Sequence, residues 1–298
     1  MASPPADPAQ AGRSAVTPPD PALIEAQVRA ALAEDIGPGD ATAQLLEDGP
    51  AEAFVVCKEA AVIAGRPWFD ACFHALDPAM AIDWAVAEGE HVAPGTRLCT
   101  LRGRSRALVS AERTALNFLQ TLSATATTTA RYVAALAGSR TRVLDTRKTL
   151  PGLRLAQKYA VRVGGGVNHR MGLHDAVMLK ENHIAAAGSI TEAVRRARAL
   201  HPTLPLIIEV ETLDELEEAL ATGCSRILVD DFDEPMLAEA VRRAAGRVPL
   251  EVSGGVSLER LPALAATGVD YVSVGALTKH VRAIDLSLRI SAPAPARR

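Results

Sequence analysis

The 298-residue sequence predicts an α/β protein in which a barrel of parallel βα units follows a smaller α+β domain. Three observations carry that prediction. After Arg142, six short apolar runs alternate with helical patterns, and strands separated by helices argue for parallel pairing. No Gly-x-Gly-x-x-Gly opens the first of these units, which favours a barrel over a dinucleotide-binding sheet. Residues 52–103 show brief alternating runs broken by turns, as in a separate small domain.

Each element follows in order. Residues 1–20, rich in Pro and Ala, have neither a basic n-region nor an apolar h-region. They read as a disordered leader and not as a secretory signal. From Leu23 to Glu34 the pattern is helical, with Ile24, Val28, Ala31 and Leu32 on one face, and Gly37-Pro38-Gly39 breaks it. The runs AFVVCKEAAVIAG (53–65) and TRLCTLRG (96–103) read as strands, with a helix at PWFDACFHAL (67–76) between them. A long connecting helix runs from Ser110, its stripe Leu116, Leu119 and Leu122; Thr127-Thr128-Thr129 mark an interruption and Gly138 its end. The six barrel strands are RVLDT (142–146), AVMLK (176–180), LIIEV (206–210), RILVD (226–230), LEVS (250–253) and YVSVG (271–275). Helical patterns fall between them, the last opening at Ser257.

Composition excludes several classes of function. The formal net charge is -3, and no basic run is interleaved with aromatics, so nucleic acid is not an expected partner. No window approaches the roughly 20 apolar residues that span a bilayer, so no membrane partner is expected. Cys57, Cys72, Cys99 and Cys224 form no C-x-x-C pair and read as buried, reduced thiols of a cytoplasmic protein.

Against this background residues 142–183 stand out. Eight Lys and Arg residues face three acids there, a formal +5 inside an acidic chain. Such a concentration suits a small, multiply charged anion. In a βα barrel the active site lies where the strands end. Those ends read Asp145-Thr146-Arg147-Lys148, Lys180, Glu209 with Glu211, Asp230-Asp231, Ser253-Gly254-Gly255 and Val274-Gly275-Ala276. Cations thus occupy the first two, acids the next two and glycines the last two. Arg147, Arg170 and His169 offer fork and ring donors for carboxylates, while Lys148 and Lys180 are mobile charges suited to pyrophosphate. Glu209 and Asp230 could hold Mg²⁺ or ribose hydroxyls. The glycine loops let backbone N–H groups approach a phosphate, with a following helix N-terminus adding its dipole. Gly164-Gly165-Gly166 lacks the Gly-Lys-Ser/Thr of a P-loop and reads as a close-packed turn presenting His169 and Arg170. Arg154, Lys158 and Arg162, on the intervening helix, read as a solvated or interface face. The residues alone point to an enzyme handling a phosphorylated sugar and an acidic partner.

Several runs together resemble the quinolinate phosphoribosyltransferase family of type II phosphoribosyltransferases (nicotinate-nucleotide pyrophosphorylase, carboxylating). They are Asp145-Thr146-Arg147-Lys148-Thr149-Leu150-Pro151-Gly152-Leu153-Arg154, Lys158-Tyr159-Ala160-Val161, Gly164-Gly165-Gly166-Val167-Asn168-His169-Arg170 and Lys180-Glu181-Asn182-His183. Glu112-Arg113-Thr114-Ala115-Leu116-Asn117, Glu209-Val210-Glu211 and Gly275-Ala276-Leu277-Thr278 extend the likeness to nearly everything after the leader.

The resemblance implies an N-terminal α/β-sandwich domain (21–120) on an incomplete (β/α) barrel (121–280), with 281–298 packing back on the first domain. It implies transfer of phosphoribosyl from phosphoribosyl pyrophosphate to quinolinate with decarboxylation, Mg²⁺ as cofactor, and a cytoplasmic homodimer open to further assembly. By matching positions, Arg147, His169 and Arg170 would grip the quinolinate carboxylates, joined by Arg113 from the neighbouring subunit. Lys148 and Lys180 would neutralise pyrophosphate and substrate acid, and Glu209 and Asp230 would hold ribose and metal. Thr146, Ser253, Gly254, Gly255, Val274, Gly275 and Ala276 would complete the substrate site, the loops around 253–255 and 275 holding the 5′-phosphate. Thr278-Lys279-His280 departs from the usual Thr-His-Ser. The rival readings are a paralogue using another acidic acceptor and a non-catalytic sugar-phosphate binding barrel.

Overall fold

The computed structural model describes residues 16–291, so positions 1–15 of the expected leader and positions 292–298 of the C-terminal segment lie outside the described residues. Helix α1 (Pro21–Ile36) starts where Asp20 accepts a hydrogen bond from the Ala22 N–H and Pro21 takes the first helical position. It buries Ile24, Val28 and Leu32. Strand β1 (Pro50–Cys57), β2 (Ala61–Val62), α2 (Arg66–Leu76), β3 (Ala81–Trp84), β4 (His91–Val92) and β5 (Arg97–Arg104) follow. Helix α3 (Ser105–Ala135) leads out of this region. It begins five residues earlier than the sequence pattern suggests and is not interrupted at Thr127–Thr129. The reason is that two of those hydroxyls find partners without breaking the helix. Thr129 Oγ1 donates back to the Thr125 carbonyl at 2.8 Å, and Thr127 Oγ1 accepts from the Val62 N–H at 2.8 Å.

The second half alternates as the sequence predicts. The elements are β6 (Arg142–Leu144), α4 (Arg154–Val163), β7 (Val177–Leu179), α5 (Glu181–Ala187), α6 (Ile190–Leu200), β8 (Leu206–Val210), α7 (Leu213–Ala221), β9 (Arg226–Asp230), α8 (Glu234–Ala244), β10 (Leu250–Ser253), α9 (Leu261–Ala266), β11 (Tyr271–Ser273) and α10 (Ala276–Lys279). Strand β12 (Leu286–Ile290) closes the described chain and pairs antiparallel with β1, giving a four-stranded sheet in the order β12-β1-β5-β3. The six barrel strands are all parallel in the order β6-β11-β10-β9-β8-β7. Strands β6 and β7 are its two edges, so the barrel is incomplete. Val167 bridges Leu144 in parallel beside β6 and lays the segment that follows the triple glycine along the open side.

Strand alternation sorts side chains between the two faces. Ile208, Val210, Ile227, Val229, Leu250 and Val252 join the large cluster formed with the surrounding helices. Ile207, Leu228 and Ala176 form a smaller cluster on the other face, inside the barrel. Cross-strand register aligns Glu209 with Leu228, Leu228 with Glu251, and Asp230 with Ser253, so these residues also face the interior. A separate cluster built on Trp68, Phe69, Phe73, Leu119 and Leu122 unites the first sheet with α1, α2 and α3. All four cysteines are buried, and among the described residues no helix is long and apolar enough to cross a membrane.

Candidate functional site

The basic stretch folds around a buried ion pair. Asp145, just past β6, is fully buried, as is Lys158 on α4, and Lys158 Nζ donates to Asp145 Oδ1. The same carboxylate accepts from the His169 N–H at 2.8 Å and from Asn168 Nδ2 at 2.6 Å. Lys158 also donates to the His169 carbonyl at 3.0 Å. Burial pushes the Asp145 carboxyl up and the Lys158 ammonium down, against the attraction between them. The expectation that Lys158 sits on a solvated face is therefore corrected: sequence charge could not show that its partner lies 13 residues earlier. Arg154 is half-buried and binds Thr149 Oγ1 at 3.2 Å and the Met171 carbonyl at 3.4 Å, so it too is structural. Arg162 is exposed, as expected. The turn back from α4 depends on close approach, since a Cβ on Gly164 would stand 2.5 Å from the Ala126 carbonyl oxygen of α3.

This scaffold presents Arg147 and Arg170 together. Burial pushes the half-buried Arg170 guanidinium below its ordinary value, and the Arg147 charge adds to the effect. Among the described residues neither guanidinium makes an ion pair with a carboxylate. Asp175 offsets their repulsion only in part and pairs directly with neither, so the two neighbouring cations can form a receptor for a doubly charged anion. His169 lies behind them, 8% exposed. Its Nδ1 accepts from the Arg170 N–H at 2.7 Å, and its Nε2 is 3.4 Å from Glu251 Oε2. The ring therefore reaches the arginines through the Arg170 backbone.

A second group lies at the strand ends of the barrel. Lys180 Nζ donates to Glu209 Oε2 at 2.6 Å. Burial raises the Asp230 carboxyl, and the Glu209 and Asp231 charges raise it further against Lys180 and Lys148. Asp231 sits at φ 55°, in the left-handed region that Asp and Asn tolerate best after glycine. Gly254 (φ 83°) crosses this carboxylate pair, where a Cβ would meet Asp231 Oδ1 at 2.9 Å and Asp230 Oδ1 at 3.3 Å. Gly275 brings its backbone against the Lys148 side chain, a Cβ there meeting Lys148 Cδ at 2.9 Å. Lys148 is set from below: its N–H donates to Thr146 Oγ1 at 3.1 Å and its carbonyl accepts from Thr278 Oγ1 at 2.8 Å. Among the described residues the expected helix N-terminus beside the phosphate loop is absent. Helix α9 starts at Leu261 and not at Ser257, because residues 258–260 form a turn, so no helix N-terminus abuts Gly254-Gly255. Backbone N–H groups of the glycine loops remain.

Not every expected residue joins this assembly. Val274 is buried, packs among the barrel's outer apolar residues and brings only its backbone near β6, its N–H donating to the Leu144 carbonyl at 2.9 Å. Ala276 opens α10. Arg113 projects from α3 with its side chain 60% exposed and Glu112 Oε1 at 3.8 Å as its neighbouring acid. Lys279 and His280 are both exposed. Conversely, sequence reasoning missed Asp145, Lys158, Arg226 and Glu251 as parts of the site's support. For the last two a signal existed, because opposite charges at inward positions of adjacent strands invite pairing. Among the described residues no three His, Cys, Asp or Glu side chains group as metal ligands. Glu209 and Asp230 fit a Mg²⁺ that is carried largely by substrate phosphates and water, as that ion often is.

Comparison with known proteins shows the family to which this fold belongs. The family model described as quinolinate phosphoribosyl transferase, N-terminal domain, matches residues 40–123, and the one for the C-terminal domain matches residues 125–289. A probable nicotinate-nucleotide pyrophosphorylase [carboxylating] of Synechocystis is 45% identical over 90% of this chain and 92% of its own. The Mycobacterium leprae nicotinate-nucleotide pyrophosphorylase [carboxylating] is 44% identical over 88% and 95%. The solved nicotinate-nucleotide pyrophosphorylase of Francisella tularensis superposes with a TM-score of 0.90 at 44% identity, covering 94% of this chain and all of that one.

Proposed function

The chain belongs to the quinolinate phosphoribosyl transferase family, and from that membership and its own site we infer that it transfers phosphoribosyl from phosphoribosyl pyrophosphate to quinolinate. The products are nicotinate mononucleotide, pyrophosphate and carbon dioxide, on the route to NAD. The observation that carries the reading is the division of the site into two arginines that make no direct ion pair on one side and a lysine–carboxylate cluster on the other.

Each group has a chemical task in this reading. Arg147 and Arg170 clamp the two ring carboxylates and bring the pyridine nitrogen to the sugar. Glu209 and Asp230 orient the ribose hydroxyls, and Mg²⁺ held there with the pyrophosphate oxygens would supply charge neutralisation at the leaving group. Lys148 and Lys180 add positive charge as pyrophosphate departs and the ribose becomes oxocarbenium-like. Lys180 must exchange its Glu209 contact for phosphate to do so. The loops at Ser253-Gly254-Gly255 and Gly275 take the 5′-phosphate on backbone N–H groups. No protein nucleophile is needed, because the ring nitrogen attacks. The pyridinium so formed is an electron sink for loss of the adjacent carboxylate. Arg113, exposed and outside the assembly within its own chain, serves the site of a second copy, which makes the working unit a homodimer.

Incubating the protein with quinolinate, phosphoribosyl pyrophosphate and Mg²⁺ should give nicotinate mononucleotide and carbon dioxide in equal amounts. Turnover of nicotinate in place of quinolinate, or no product with either acid, overturns the assignment.

A further inference from the structure

Within the barrel, Glu251 is an acid among apolar neighbours. It lies on the inner face of β10, fully buried, level with Leu228 of β9. The smaller interior cluster formed by Ile207, Leu228 and Ala176 is apolar, so volume alone does not call for a carboxylate. Oε2 accepts from Arg226 NH1 at 2.9 Å and stands 3.4 Å from His169 Nε2. Oε1 has no hydrogen-bond partner at all, although it is buried. Arg226 is fixed in turn by stacking its guanidinium on the Tyr271 ring, 4.6 Å from the centroid.

The partners of His169 determine where its proton sits. The Arg170 N–H points at Nδ1 from 2.7 Å, so Nδ1 carries a lone pair and no proton. A second proton on the ring would set two donors against each other at that distance. The single proton is therefore on Nε2, the atom that faces Glu251. We propose that Glu251, anchored by Arg226, is a positioning residue for the acidic substrate: it holds the His169 ring from its Nε2 side, and through Nδ1 the ring fixes the backbone of Arg170 and the aim of its guanidinium. The charge of Glu251 answers the Arg226 guanidinium, and the same oxygen faces the imidazole Nε2.

This proposal rests on the assignment of Arg170 to the quinolinate carboxylates, and its test separates the two. E251Q removes the carboxylate charge that faces Arg226 and the imidazole while keeping the shape of the side chain. In the double variant R226M/E251M both charges leave together, so no unpaired charge remains buried and folding is preserved even if E251Q folds poorly. Steady-state kinetics on full-length homogeneous enzyme, with ¹⁵N-labelled histidine spectra of the same samples, read the outcome. Both variants should raise the KM for quinolinate about tenfold, the loss of roughly one charge-assisted contact, while the KM for phosphoribosyl pyrophosphate stays within about twofold. The His169 ring signals, identified by their absence in H169N, should be single and sharp in the parent and shifted or broadened in the variants, as the ring loses its fixed position. An unchanged quinolinate KM, an equal loss for both substrates, or unaltered ring signals in the variants overturns the proposal. If the parent chain turned over no quinolinate, the functional reading would fall on its own, while the ring spectra would still decide whether Glu251 positions the ring.

Discussion

Replacing Lys158 with methionine tests whether the buried pair beneath the basic stretch holds the site together. Both partners are 0% exposed. Methionine keeps most of the stem and removes the charge. The Asp145 carboxylate is then left with two neutral donors, the His169 N–H at 2.8 Å and Asn168 Nδ2 at 2.6 Å, and the His169 carbonyl loses its ammonium at 3.0 Å. Removing one member of a buried pair costs about 3–5 kcal/mol, because the other charge stays buried. For a domain of this size each kcal/mol moves the melting temperature by roughly 2–4 °C, so K158M should melt about 6–20 °C below the parent. Calorimetry measures this directly. The double variant D145N/K158M buries no charge, and its deficit should shrink to about 1–3 kcal/mol. A K158M protein within about 1 kcal/mol of the parent would refute the reasoning, since that is what an exposed ion pair is worth.

Further expectations concern packing, titration and assembly. Gly164→Ala drives a Cβ to 2.5 Å from a backbone oxygen and should destabilise by about 3 kcal/mol in urea unfolding, while Gly49→Ala, with nothing within 4 Å, should stay within about 0.5 kcal/mol. The raised Asp230 carboxyl has a clear sign. It adds stability at acid pH that is lost as pH rises from its ordinary 3.8 through the raised value, so D230N should melt higher than the parent at neutral pH while losing activity. Mg²⁺ must also displace that proton, so the Mg²⁺ concentration giving half-maximal activity should climb as pH falls towards the carboxylate range, and an equal requirement at every pH would count against Asp230 as a holder of the metal. Mixing inactive R113A and R147A dimers under conditions of subunit exchange should restore activity, because one hybrid site is intact; no recovery would place Arg113 outside the site.

How much was legible in the sequence varies by element. The six barrel strands were readable because buried parallel strands are short apolar runs between amphipathic helices. The strand-end residues Lys180, Glu209, Asp230 and Ser253 were readable because barrel geometry places strand ends on one rim. Short strands such as β3 and β4 were not, since a few residues carry no usable period. Thr127–Thr129 misled for a related reason: threonine weakens a helix only where its hydroxyl lacks a local partner, and that depends on Val62, which is 65 residues away. The start of α9 was set by a turn at 258–260 that competes with an equally helical pattern.

The sequence by itself determined the repeated βα architecture, the rim on which the chemistry sits and the family, because all three depend on periodicity and on contiguous motifs. It also determined that the window 142–183 is strongly basic. Only the tertiary structure decided what each charge there does. Arg147 and Arg170 lie near each other with no direct ion pair, Lys180 rests on Glu209, and Lys158 is spent inside the protein on Asp145. The physical reason is that a charge acts through its distance to partners and its exposure to water, and neither is written in the order of residues along the chain. Glu251 shows this most plainly. In sequence it is one acid in a strand of four residues; in the fold it meets Arg226 from the next strand and His169 from the segment laid along the barrel's open side.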